Sequence, residues 1–235
     1  LSGYALRDGL ANAALDPDGP VVRDLARACA DTGSALVVGA PVRAARGLVR
    51  NSLLFLTPDG SAGRYDKVYL PTFSLFEEDH FFQEGDRLPV FDATLGGEKV
   101  RLGLSICYDL FFPEVTKALA LAGADVLVCA SASPTPSRLH FESVFPARAV
   151  ETTCHLLYTN LVGPQDAALF WGGAQAWSAR GGLIAKAPYD EEHVLRVEVD
   201  MADVEEARRR RPVLRDTRRE VLRLLLDAKD EARAP

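Results

Sequence analysis

A thiol, an ammonium and a carboxylate are the side chains in this sequence best placed to do chemistry. Cys107 ends the apolar run Val100 to Ile106; the polar pair Tyr108-Asp109 follows, and Phe112-Pro113-Glu114 then opens a helical stretch. A thiol between a strand end and a helix start meets partial positive charge that lowers its pKa, and backbone N–H groups that can hold an oxyanion. Lys67 closes Arg64-Tyr65-Asp66-Lys67, ahead of the rigid step Leu70-Pro71. Glu78 follows Phe76-Glu77, among aromatics whose desolvation would perturb its pKa. Each has a plainer alternative: a buried free cysteine, a surface lysine, an exposed acidic turn. Together, and without histidine, they suit hydrolysis of an unactivated C–N bond. The thiol adds to the carbon, the ammonium stabilises the anionic tetrahedral centre, and the carboxylate passes protons to the departing ammonia.

The elements that must position these groups alternate between strand and helix. The pattern predicts a helix over 21–30, strands over 35–38 and 52–56, and a turn at Pro58-Asp59-Gly60. Residues 67–87 form an aromatic, acidic loop of functional length. A helix to about Leu121 closed by Gly123, a strand over 126–129 and the polar loop 131–138 come next. They precede a helix over 139–152 interrupted by Pro146, and a strand over 155–159. Arg180-Gly181-Gly182 reads as a hairpin turn, 194–199 as a last strand and 214–226 as an amphipathic final helix. Buried strands and amphipathic helices predict an α/β layered domain with sheets inside and helices outside. With 235 residues, 48% of them hydrophobic, residues 1–235 suit one domain with a core that needs no staples.

The net charge of −6 offers no global basic field, so nucleic acid is not an expected partner. The basic cluster Arg208 to Arg211 lies among Glu205, Glu206 and Asp216 and reads as a solvated helix face or an oligomer contact. Four dispersed cysteines and four histidines show neither disulfide nor metal-ligand spacing. No apolar run reaches membrane-spanning length, and no signal peptide is evident. The chain reads as cytoplasmic, with no membrane partner, no metal and no cofactor.

In order along the chain stand Leu-Ser-Gly-Tyr at 1–4, Tyr-Asp-Lys-Val-Tyr-Leu-Pro at 65–71 and Phe-Glu-Glu at 76–78. Ile-Cys-Tyr-Asp-Leu-Phe-Phe-Pro-Glu at 106–114, Ala-Arg-Ala-Val-Glu at 147–151 and Asn-Leu-Val-Gly at 160–163 follow. In this order and spacing the chain resembles the nitrilase superfamily of carbon–nitrogen hydrolases along nearly its whole length. The resemblance implies a four-layer α-β-β-α sandwich and assembly into a homodimer or higher homo-oligomer. It also implies a Glu-Lys-Cys triad. Cys107 is then the nucleophile, and Lys67 supports the oxyanion together with the Tyr108 backbone N–H. Glu78 matches a second, pocket-lining glutamate. Ser131-Ala132-Ser133-Pro134 and Gly163-Pro164-Gln165-Asp166 look like the glutaminase domain of glutamine-dependent NAD synthetases. That likeness assigns the substrate's amino-acid end to Tyr4, Ser133 and Arg138, and a pocket wall to Phe73.

Three departures accompany the resemblance. The family's first catalytic glutamate precedes Leu-Ser-Gly-Tyr, whereas residues 1–66 here hold no glutamate. The first strand and that general base are therefore expected to be missing through trimming, leaving an unpaired sheet edge and slow or no turnover until the upstream segment is restored. Phe111 stands where many relatives have arginine, and Gly172-Gly173-Ala174 replaces a frequent Gly-Gly-Ser. The expected activity is conversion of a small-molecule primary amide to acid and ammonia through a thioester. The alternatives are a nitrilase acting on a nitrile, a non-catalytic or degenerate member serving as a scaffold, and an ammonia donor acting in trans.

Overall fold

The structure, a computed structural model, describes residues 1–4 and 9–232. Its strands are β1 (Leu36–Arg43), β2 (Val49–Leu56), β3 (Ala62–Asp66), β4 (Val90–Leu95), β5 (Glu98–Ile106) and β6 (Val126–Ser131). They continue as β7 (His155–Asn160), β8 (Val162–Gln165), β9 (Ala168–Trp171), β10 (Gln175–Trp177) and β11 (Leu183–Lys186). The helices are α1 (Leu10–Ala13), α2 (Pro20–Thr32), α3 (Glu78–Phe81), α4 (Pro113–Leu121), α5 (Arg138–Thr152), α6 (Met201–Arg210) and α7 (Arg219–Glu231). One antiparallel sheet runs β1-β2-β3, a second runs β11-β10-β7-β6-β5-β4, and β8 pairs with β9 in a separate ribbon.

The two-residue period of β2 sorts its side chains between layers. Leu53 and Phe55 join the core shared with Leu102, Leu104 and Ile106 of β5, while Leu54 and Leu56 meet Val22 and Cys29 of α2. On the far side of the large sheet, a Cβ at Gly103 would come within 3.0 Å of Leu119 on α4, so glycine there lets the helix lie close. Helix, sheet, sheet and helix thus stack in the four layers expected.

Helix α2 starts on Pro20 and ends on Gly33, whose φ of 66° supplies the left-handed cap. The strand expected to end at Gly39 runs on through Pro41 to Arg43. Proline is tolerated because β1 is an edge strand among the described residues, met on its open side by Leu15 and by the Leu1 ammonium at Gly39 O. Residues 194–199 keep a period-two alternation, with Leu195, Val197 and Val199 half-buried, yet they pair in no sheet. The final helix begins at Arg219 instead of 214, because residues 213–216 form a turn. No helix among the described residues is long and apolar enough to cross a membrane.

Candidate active site

Strands β5, β6 and β7 are mutually parallel, so their carboxyl ends open on one side of the sheet. That side carries Cys107 after β5, Ser131 to Ser133 at the end of β6, and Thr159-Asn160 at the end of β7. Ligands in open α/β sheets gather at such ends.

Cys107 occupies φ of 49°, a left-handed conformation that costs a non-glycine residue about 1–3 kcal/mol. It is the first residue of a 3-10 turn, Cys107–Phe111. A helical start leaves its first N–H groups, Tyr108 among them, without intrahelical acceptors. Asp109 holds the elbow in place. Its buried carboxylate accepts from Ile106 N at 2.9 Å, Tyr65 Oη at 2.6 Å and Tyr69 N at 2.9 Å. From the other side the Arg148 guanidinium donates to the carbonyls of Leu110 at 2.7 Å and Phe111 at 3.1 Å.

Lys67 reaches the site by strand period. Tyr65 and Lys67 are two residues apart and both point inward, while Asp66 turns outward to Arg50 and Arg64. The Lys67 N–H donates to Asn51 O at 2.9 Å and its carbonyl accepts from Gly85 N at 2.7 Å, which closes the aromatic loop on itself. A Cβ at Gly85 would collide with the Asp66 carbonyl, so the closure requires glycine. Glu78, the first residue of α3, is thereby brought back over Lys67. Its oxygens accept from Lys67 Nζ at 2.8 and 2.7 Å, and both residues are under 5% exposed. Tyr4 Oη donates to the same carboxylate at 2.9 Å and Asn51 Nδ2 at 3.5 Å. Burial and this carboxylate together raise the Tyr4 phenol pKa above its ordinary range.

Lys67, Glu78, Tyr4, Asn51 and Cys107 line one cavity of about 230 Å³. Cys107 also lines a second cavity, of about 300 Å³, with Phe73, Phe76, Tyr108, Phe111, Phe141 and Ser133. The thiol is therefore the junction between a chamber that holds the Lys67–Glu78 pair and an aromatic one. Its pKa is raised, contrary to the lowering expected from its place at a helix start. Burial is the largest cause; Lys67 pulls down against it and Glu78 adds to the rise.

Ser133 is fully buried, its N–H given to Asn160 Oδ1 at 2.8 Å and its hydroxyl facing Trp171 Nε1 at 3.3 Å. Arg138 lines neither chamber. Its guanidinium, at the start of α5, lies 4.5 Å over the Tyr189 ring. Arg138 is thus a predicted site residue that the structure does not bring together with Cys107 and Lys67. Sequence reasoning passed over Asp109 and Asn51. An acid between Tyr108 and Leu110, inside an otherwise apolar run, was the available signal for the first; nothing local marked the second. Among the described residues no cluster of three or more His, Cys, Asp or Glu is arranged to hold a metal.

A family model described as carbon-nitrogen hydrolase matches residues 1–209. The chain is 34% identical over 222 residues to the (R)-stereoselective amidase of a Pseudomonas species, covering 93% of this chain and 76% of the relative. It is 35% identical over 164 residues to the glutamine-dependent NAD(+) synthetase of Aquifex aeolicus, covering 68% of this chain but 28% of that relative. Among solved structures, the CN-hydrolase superfamily protein XC1258 of Xanthomonas campestris superposes with a TM-score of 0.80 at 25% identity. That match covers 92% of this chain and 80% of the other.

Proposed function

Because the chain belongs to the carbon-nitrogen hydrolase family, we propose that it is an amidase using Cys107 as nucleophile. The carrying observation is that the thiol shares one cavity with a buried Lys67–Glu78 pair. Sulfur bonds to the amide carbon, and the Lys67 ammonium and the Tyr108 N–H face the oxygen that gains charge. The C–N bond then breaks, the nitrogen leaves as ammonia, and a thioester remains for water to hydrolyse. The raised thiol pKa means that the sulfur gives up its proton as it attacks, instead of resting as an anion. Glu78 is the carboxylate of the cavity lining and relays that proton to nitrogen. It also holds the Lys67 side chain in place through two hydrogen bonds.

An amidase is favoured over an ammonia donor fed by glutamine because Arg138 faces Tyr189 and leaves an amino-acid carboxylate without that partner. The protein is read as a homo-oligomer, with the exposed apolar face of α7 as the contact.

Ammonia release from a matched amide and nitrile, with the intact-protein mass recorded during turnover, tests the reading. Slow release of equimolar acid and ammonia from the amide is expected, with an acyl adduct on Cys107 that Cys107→Ala abolishes. Turnover of the nitrile alone would make the protein a nitrilase. Neither turnover nor an adduct would remove the catalytic reading.

A further inference from the structure

The second chamber at Cys107 has a composition that selects a substrate. Its walls are Phe73, Phe76, Tyr108, Phe111 and Phe141, closed by Pro71, and among the described residues no lysine, arginine, aspartate or glutamate lines it. The rings support one another edge to face or tilted: Phe73 on Phe76 at 5.6 Å, Phe73 on Tyr108 at 5.2 Å and Phe111 on Phe141 at 4.7 Å between centroids. Such contacts fix the walls and leave ring faces and edges for a further ring. Besides the thiol, the side-chain polar atoms that could meet a ligand there come from Tyr108, Ser133, Ser137 and His140. The Ser133 hydroxyl is already engaged by Trp171.

A charged group entering this chamber would lose part of its hydration without gaining a lysine, arginine or carboxylate partner among the described residues, which is unfavourable. A ring loses little by entering, and gains dispersion and aromatic contact on several sides. An apolar cavity of about 150 Å³ is enough to hold benzene. About 300 Å³ therefore accommodates a phenyl ring with a short methylene spacer.

Accepting the amidase reading, we propose that the acyl part of the substrate is an uncharged aryl or arylalkyl group, bound between Phe73 and Phe111. The amide carbon then lies at Cys107, where the two chambers join, and its oxygen and nitrogen face Lys67 and Glu78.

The test is protection of Cys107 from alkylation, which reads binding whether or not turnover occurs. 3-Phenylpropanamide, propanamide and glutamine are compared at equal concentration, with alkylation located by peptide mass spectrometry. The aryl amide is expected to protect at concentrations at least tenfold below the other two. Phe73→Ala removes a half-exposed ring outside the core. It is expected to weaken that protection about tenfold and leave the weak effect of propanamide unchanged. Phe111→Arg places a cation in the chamber and is expected to abolish the aryl preference. Protection by glutamine equal to or better than the aryl amide, or an aryl preference untouched by both variants, overturns the inference. Ammonia release is measured separately. Aryl-selective protection without any hydrolysis would sink the amidase reading alone, whereas hydrolysis without aryl preference would sink this inference alone.

Discussion

At Cys107, burial and Glu78 hold the thiol pKa up while Lys67 holds it down, so the two neighbours have opposite signs. The alkylation rate of Cys107 is expected to lie below that of free cysteine near neutral pH and to climb as pH rises beyond the ordinary thiol range. Glu78→Gln removes an influence that favours the protonated sulfur. It should therefore speed alkylation while cutting amide turnover by about 10²-fold or more, since the proton relay is lost. A variant that slows both would place Glu78 outside the electrostatics of the thiol. These three side chains were legible in the sequence because their chemistry is carried by residue type and their neighbours announce strand ends. Arg138 was not, because the direction of a side chain at a helix start depends on what packs beside it, here Tyr189. The sign of the thiol shift was not legible either. The helix start was visible in the sequence, whereas the burial that outweighs it exists only after folding.

Among the elements, the 3-10 turn and the aromatic loop are locked together by one carboxylate. Asp109 bonds to the residue before Cys107, to β3 through Tyr65 and to the loop through Tyr69, so it sets where Lys67 stands relative to the thiol. Burial pushes its pKa up to about 6, with Lys67 and the three donors pulling the other way. A folded-state pKa above the unfolded value of about 3.9 means that ionised Asp109 opposes folding at neutral pH, by up to about 3 kcal/mol. Its contribution improves as pH falls from about 6 toward 4. Asp109→Asn does not titrate and turns an amide N–H toward at least one of the three donors. It should lower stability by about 1–3 kcal/mol through the unsatisfied group and lower kcat more than KM. Tm measured from about pH 7 to 4.5 should shift in favour of the wild type on acidification; parallel curves would contradict the raised pKa. Most elements were legible because period and caps are local, as Gly19-Pro20 and Gly33 show for α2. The strand expected at 194–199 failed for the converse reason. Its alternation is real, but a strand also needs a partner edge, which no local pattern reveals.

For the whole molecule, the unanswered surface is α7. None of its residues is buried, and Val221, Leu222, Leu224, Leu225 and Leu226 lie 38–66% exposed along it. Its terminal charges are mixed: Arg218 and Arg219 stand with Glu220 at the start, and Asp230 and Glu231 with Lys229 at the end, so its macrodipole is only partly answered. Cations at a helix N-terminus and anions at its C-terminus weaken an isolated helix. A second copy lying antiparallel would answer both features. The apolar faces would cover each other, and Arg219 would meet Asp230 of the partner, because the two positions share a flank at opposite ends. On the other flank Glu220 pairs with Arg218 of its own chain and Asp227 and Glu231 add like charge, so the leucines would supply the association and the Arg219–Asp230 contact would set its direction. Light scattering is expected to report a dimer or larger assembly that Leu225→Asp dissociates. Arg219→Asp and Asp230→Arg should each weaken it, and the double variant should restore it. A monomer at tens of micromolar, or an assembly indifferent to Leu225→Asp, would mean that α7 is not the contact. Because α7 lies outside both chambers at Cys107, dissociation should leave the selectivity of Cys107 protection among amides unchanged.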